Sequence, residues 1–419
     1  MKRCLFLFFF LFLLLFTACG KQTKETSLPT LTLTGDLQNA TKETKITVSA
    51  VYSDGERAIE SLATLKVQGA SSQYYPKKNY NIEFLTANGK KNKLTLKNEW
   101  GAESKYCLKA NYIDASHARN IVSARIYGKI VSSRSLNDPL TDAPNGGAID
   151  GYPILVYHGN EFLGLYTLNI PKDEWMFSLS KEGRQAILMA DDWTDATALY
   201  TPIGDDLAES GFDLEYCSTE KTEGTEWVAE SFNKMVDFIG SNDGEAFRAG
   251  IGEYLHVERA IDTMLFTYAF AGVENIAKNI LWVTFDGERW LPSVYDMDCT
   301  WGLIYHAESF YEPDVMTHGF DGHALFEKLA LCFPDEVKAR YFELRKTILS
   351  DEAIAAEFES FFDAIPSPAW EMEHARWKEI PLADVDHRAQ ILTFAKEHLA
   401  LLDIYIDKLS PSADIPLYP

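Results

Sequence analysis

Two carboxylates set two positions apart, Asp296 and Asp298, close the run VENIAKNILWVTFDGERWLPSVYDMDCTWG at residues 273–302. In an extended segment, side chains at i and i+2 leave the same face. A pair placed that way can begin a Mg²⁺ or Mn²⁺ site, because such an ion takes one or two carboxylates together with substrate phosphates. Lys278-Asn279 opens the same run, and the Asn279 amide oxygen is a candidate further ligand. The plainer reading of the pair is a solvated strand end whose aspartates cap a turn.

A second cluster lies upstream in KVQGASSQYYPKKNYNIEF, residues 66–84. Gly69-Ala70-Ser71-Ser72 separates two strand-like runs, and Lys77 and Lys78 follow Pro76. Small residues let backbone N–H groups approach an anion, and a nearby lysine adds a point charge for phosphate. The alternative is a hairpin with a polar tip, since neither a Walker-type phosphate loop nor a GxGxxG run is present. No GxSxG or HExxH motif suggests a hydrolase. His306, His318 and His323 share a stretch whose spacing follows no metal-ligand rule. Asp191, Asp192 and Asp195 read as a solvated acidic turn, and Asp262, beside an apolar helical face, as structural.

The elements that must position these residues are legible from periodicity. Ile46, Val48 and Ala50, then Leu65 and Val67, then Tyr80, Ile82 and Phe84 alternate with outward residues, as strands do. Asn88-Gly89, Gly159-Asn160 and Asp286-Gly287 are hairpin signals. Helical spacing appears at Val228–Ile239, Val257–Tyr268, Val337–Leu344 and Val385–Ile406, with a further helix expected at about residues 116–131. The fold class is therefore α+β, with an antiparallel-sheet-rich N-terminal part and a helical C-terminal part.

The chain of 419 residues carries 39 Lys+Arg against 62 Asp+Glu, a net charge of −23. That excess repels polyanions, so nucleic acid is not an expected partner. At the start, Lys2 and Arg3 precede an apolar run from Leu5 to Phe16, then Thr17, Ala18 and Cys19. This is the pattern of a lipoprotein signal: residues 1–18 removed and Cys19 lipidated. The expected location is the extracytoplasmic face of the cell membrane, reached through that lipid. Residues 19–30 read as a tether, 31–409 as one body and 410–419 as a tail. Cys107, Cys217, Cys299 and Cys332 are widely spaced and read as buried free thiols.

The clusters, in this order, resemble the CotH kinase family, named for a spore coat protein. The resemblance runs over GASSQYYPKKNYNIEF, LKANYIDASHARN (108–120), FLGLYTLNIPKDEWMF (162–177), the KN…W.P…YDMD…G run (278–302) and CFPDEVKARYFELRKTILS (332–350). It implies a diverged protein-kinase-like fold and transfer of phosphate from ATP to a hydroxyl of a secreted or surface protein, with Mg²⁺ or Mn²⁺. By that resemblance either Lys77 or Lys78 contacts nucleotide phosphates, Ser71 and Ser72 cap them, and Asp296, Asp298 and Asn279 hold the metal. Family members commonly carry Asp before the KN element as the group that takes the substrate's proton. Here Glu274 stands in that place, one methylene longer. Two other readings follow: a non-catalytic surface scaffold on the same fold, and a carbohydrate-associated protein using its aromatics for stacking. Asp114, Arg119 and Asn120 match the family stretch, and their plainer reading is an internal salt bridge or cap.

Overall fold

The computed structural model describes residues 28–136 and 139–410. The signal, Cys19 and most of the tether and tail lie outside the described residues. The body begins at once: Leu28 is buried and the first strand starts at Thr30.

Seven strands close into a barrel: β1 (Thr30–Thr34), β2 (Ile46–Ser53), β3 (Ala58–Gln68), β4 (Asn79–Leu85), β5 (Lys105–Lys109), β6 (Gly151–His158) and β7 (Glu161–Asn169). The order is β1-β2-β3-β4-β5-β7-β6, all antiparallel except that β6 returns parallel to β1 and seals the ring. Closure removes the exposed edges that an open sheet must otherwise protect. Alternation carries Leu31, Leu33, Val48, Ala50, Leu65, Ile82, Phe84 and Leu108 into its interior. The opposite parity puts Lys66, Gln68, Asn79 and Asn81 on the outer wall, and these line a cleft described below.

A second sheet, in the order β11-β10-β8-β9, comprises β8 (Ala186–Ala190), β9 (Phe212–Cys217), β10 (Ile280–Thr284) and β11 (Trp290–Val294). The Gly159-Asn160 and Asp286-Gly287 signals form the β6–β7 and β10–β11 hairpins. Asn88-Gly89 forms its turn, with the Thr86 N–H donating to Lys90 O at 2.7 Å, but only isolated bridges follow it.

Nine helices lie among the described residues: α1 (Arg119–Ser132), α2 (Glu226–Ser241), α3 (Gly244–Gly250), α4 (Val257–Ala269), α5 (Ala324–Cys332), α6 (Pro334–Arg345), α7 (Asp351–Asp363), α8 (Ser367–Arg376) and α9 (His387–Asp407). The mixed α+β class, sheet-rich first and helical later, is the one expected. The last helix starts after Val385 because the Asp386 carboxylate caps it, accepting from the Ala389 N–H at 3.1 Å. Its buried face is then Ile391, Phe394, Leu399, Leu402 and Ile406, while Ala389 is exposed. Asp262 is fully buried between Arg134 at 2.7 Å and Arg340 at 2.8 Å, a structural ion triad. The four cysteines among the described residues, Cys107, Cys217, Cys299 and Cys332, are free and buried. Among the described residues no helix is long and apolar enough to cross a membrane.

Candidate active site

The cleft lies between the outer wall of the barrel and one end of the second sheet, with a volume of about 710 Å³. The β10–β11 hairpin delivers its acidic side. Its ladder continues one step beyond the strands, with the Asn279 N–H donating to Ala190 O at 2.8 Å and Tyr295 N–H to Asn279 O at 3.0 Å. Asn279 (φ +58°) and Asp296 (φ +50°) then both turn into the left-handed region. Non-glycine residues in that region cost energy and gather at functional sites.

Asp296, Asp298, Asn279 and Glu274 all line this cleft. The route differs from the extended i, i+2 geometry expected. β11 ends at Val294, Asp296 reverses the backbone, and Met297 is buried between the two aspartates. The Met297 N–H donates to the Asn120 side chain at 3.2 Å, and Arg119 Nε donates to Thr300 O at 3.1 Å. Arg119 is itself anchored to Asp114 at 2.6 Å. Asp114, Arg119 and Asn120 are thus an internal salt bridge and cap that hold the DMD turn from behind. Glu274 sits on a short 3₁₀ turn, and the neighbouring Asn275 side chain donates to Tyr295 O at 2.8 Å.

Charge is crowded here. Burial, then the carboxylates of Asp296 and Glu274, push the Asp298 carboxyl well above its ordinary value. Burial, then Asp298 and Glu274, raise the Cys299 thiol in the same way. Among the described residues no set of three or more His, Cys, Asp and Glu side chains is arranged to hold a metal unaided. The set does fit a divalent ion that brings phosphate oxygens with it, because Asp298 is crowded by the carboxylates of Asp296 and Glu274, a repulsion that a bound cation relieves.

The cation paired with the carboxylates is neither Lys77 nor Lys78. Lys77 is buried, and its three N–H groups go to Ala110 O at 2.8 Å, Leu165 O at 2.5 Å and Glu373 Oε1 at 2.6 Å. Lys78 donates to Gln73 O at 2.7 Å. Lys77 lines the cleft, but neither ammonium forms an ion pair with Asp296, Asp298 or Glu274. Lys109, at the end of β5, does: it lies 3.8 Å from Asp296 and over the Tyr295 ring at 5.6 Å. Burial disfavours its charge, but Asp296 and Tyr295 outweigh that and raise its pKa. Lys172 stands on the same ring at 5.1 Å and pairs with Glu215 at 2.5 Å. Lys66 and Lys278 also line the cleft, with no ion-pair partner among the described residues. Lys109 was hidden within LKANY, although the β5 alternation of Tyr106 and Leu108 inward put Lys109 on the outer side. Asp191, expected in a solvated turn, lines the cleft as well.

Ser71 and Ser72 occupy a 3₁₀ turn at the lip. Gly69 (φ +106°) is favoured there, because L side chains rarely adopt that backbone conformation. Asn79 ties the lip to the barrel, donating to Ser72 Oγ at 3.1 Å and accepting from the Ala110 N–H at 2.7 Å. Of the three histidines singled out, His306 reaches the rim of the cleft, whereas His323 is buried and His318 exposed.

The role of Lys77 is to close a gap in the barrel. β5 pairs with β7 only at Cys107–Lys109 against Asn169–Thr167. Beyond that, the Leu165 N–H donates to Glu373 Oε2 at 2.6 Å, and Lys77 takes the Leu165 carbonyl. Burial opposes the charge on both, yet Lys77 and His117 bring the Glu373 carboxyl down to about 2. Tyr166 lies under the Lys77 ammonium at 4.6 Å. Gly164 makes room: a Cβ there would lie 2.6 Å from Lys77 Cε and 3.1 Å from Glu373 Oε2, at φ +151°. Gly164→Ala should therefore lower stability by about 1–3 kcal/mol, as backbone strain and a displaced brace do, measured by urea unfolding.

The fold and cleft define an α+β protein with a carboxylate-rich site faced by lysines. The chain matches the model of the CotH kinase protein family over residues 65–402, and it belongs to that family. Comparison with curated proteins finds no match.

Proposed function

We propose that this protein is an atypical kinase on a diverged protein-kinase-like fold, which moves the γ-phosphate of ATP to a hydroxyl of a secreted or surface protein. The observation that carries the reading is the meeting of Asp296, Asp298 and Glu274 with Lys109 in one cleft. Phosphoryl transfer demands positioning and charge neutralisation more than covalent chemistry. Asp296 and Asp298, with Asn279, would hold Mg²⁺ or Mn²⁺, which when bound screens phosphate charge. Lys66, Lys109 and Lys278 attract the polyphosphate into a chain that is otherwise strongly negative. The Ser71-Ser72 lip offers hydroxyls and backbone N–H groups from above. Glu274 would accept the proton of the attacking hydroxyl. A lipid on Cys19 would keep the enzyme at the extracytoplasmic face of the membrane.

The test is Mg²⁺- or Mn²⁺-dependent incorporation of label from γ-labelled ATP into added protein. Glu274→Asp should raise incorporation, by up to about 10²-fold if the longer side chain misplaces the base by near 1 Å. Specific support for a non-catalytic scaffold comes from Glu274 itself. ATP binding without transfer in the parent, and transfer gained in Glu274→Asp, would establish that second reading.

The crowded carboxylates also set a pH dependence. Asp298 is raised, so it holds its proton to higher pH than a free aspartate and must release it as a cation binds. Mn²⁺ affinity in the presence of ATP should therefore rise with pH through the range in which Asp298 gives up its proton, a range above that of a free aspartate. Asp298→Asn should flatten that rise in a calorimetric titration.

A further inference from the structure

A second concavity, about 800 Å³ in volume, opens on the helical side of the molecule and shares no lining residue with the cleft. Its floor is apolar: Leu199, Ile239 at the end of α2, Leu331 of α5, Phe320 and Leu409. Phe320 is wedged between Tyr268, with ring centroids 4.5 Å apart, and Tyr405 of α9 at 5.6 Å. The floor is therefore formed by fixed side chains from several elements.

The rim is acidic. Asp195 and Asp321 are exposed, and their carboxylates have no hydrogen-bond or ion-pair partner among the described residues. Glu327 accepts from the Gly322 N–H at 3.2 Å and from the Tyr200 hydroxyl, which leaves its charge uncompensated. Among the described lining residues the one cation is Lys328, and it is already taken. It donates to Asn242 O at 2.6 Å and pairs with Asp243 at 2.9 Å at the end of α2.

We infer that this groove binds a short protein segment in which a Lys or Arg adjoins one or two large apolar side chains. The apolar floor desolvates an aliphatic or aromatic anchor, which is where binding energy concentrates. The carboxylates at the rim favour a cation beside it through charge-assisted hydrogen bonds, and they repel acidic segments. The volume is that of a pocket for a few side chains. The inference is independent of the reading of the cleft.

The test uses the full chain and fluorescein-labelled peptides followed by anisotropy. A peptide with Arg between Leu and Phe should bind. Changing its Arg to Glu, or its Leu and Phe to Ser, should each weaken binding tenfold or more. Asp195→Asn/Asp321→Asn should weaken the parent peptide at least tenfold and reduce its salt dependence, and Leu409→Ser should weaken it without altering that dependence. Asp296→Ala should leave binding unchanged, which separates this site from the cleft. No binding at millimolar peptide overturns the inference. So does full binding of the Ser peptide, which would be diffuse attraction to an acidic protein. Tightening on deletion of residues 411–419 would assign the groove to the chain's own tail and overturn the external partner.

Discussion

Lys77→Met should destabilise the protein by about 3–5 kcal/mol, the cost of breaking a buried ion pair by removing one partner. The side chains of Lys77 and Glu373 are 0% and 1% exposed, so neither can turn to water when the other is lost. Three acceptors would lose their donor at once: Ala110 O, Leu165 O and Glu373 Oε1. Lys77→Met/Glu373→Leu removes the stranded charge and should recover part of the loss. It cannot recover all of it, because the Leu165 N–H and O have no strand partner at that point in the barrel. Urea unfolding of both singles and the double, read as a double-mutant cycle, measures this coupling. The pH dependence has a definite sign. Glu373 is depressed from 4.5 to about 2, so its contribution is fully present above pH ~4.5 and disappears as pH falls toward ~2. At 1.36 kcal/mol per unit the shift corresponds to about 3 kcal/mol, against which the burial of Lys77 counts. Acid should cost the parent stability in that window, and the Glu373 part of that loss should vanish in Lys77→Met, where nothing holds the buried carboxyl down. A single variant with parental stability would mean that the pair does not brace the barrel.

The second large effect is on transfer and leaves stability untouched. Asp296→Ala should reduce metal-dependent phosphate incorporation by about 10²–10³-fold, the scale on which one preorganised charge contributes to catalysis. Lys109→Met should cost a comparable factor. The Asp296 side chain is 36% exposed and crowds Asp298. Its removal should therefore leave the unfolding midpoint unchanged or slightly higher, as expected where a site is kept at the expense of stability. Lys109→Met takes away the cation beside Asp296 and should move the Asp298 titration further up. Loss of transfer with a large drop in stability in Asp296→Ala would make that aspartate a structural residue.

Much of this molecule is written locally. Period-two alternation in Ile46–Ala50 and Tyr80–Phe84 placed the strands, because only one face of each meets the barrel core. Asp286-Gly287 placed the hairpin whose far end carries Asn279 and Asp296. Helices α2, α4, α6 and most of α9 followed from apolar spacing, and a helix near α1 was expected at about residues 116–131. The matching runs identified the family, since each preserves residue types in order along the chain.

What local pattern could not decide is where a charged side chain spends its charge. Lys77 and Lys78 are equivalent as sequence, yet one is a buried brace and the other lies on a turn carbonyl. The difference depends on Glu373, 296 positions away from Lys77 on α8, and on the point where β5 stops pairing with β7. Lys109 looked like one more strand residue until the second sheet was brought across from it. The aspartate pair was read as extended and is instead turned by a left-handed Asp296, held by Asn120 and Arg119 from another element. The chain alone thus determined the class, the family and the loops that meet at the cleft, because these rest on short-range periodicity and on residue types in order. Which cations face the carboxylates, and which only hold the wall behind them, was decided by tertiary structure. Burial and long-range hydrogen bonding assign those charges, and both exist only once the chain is folded.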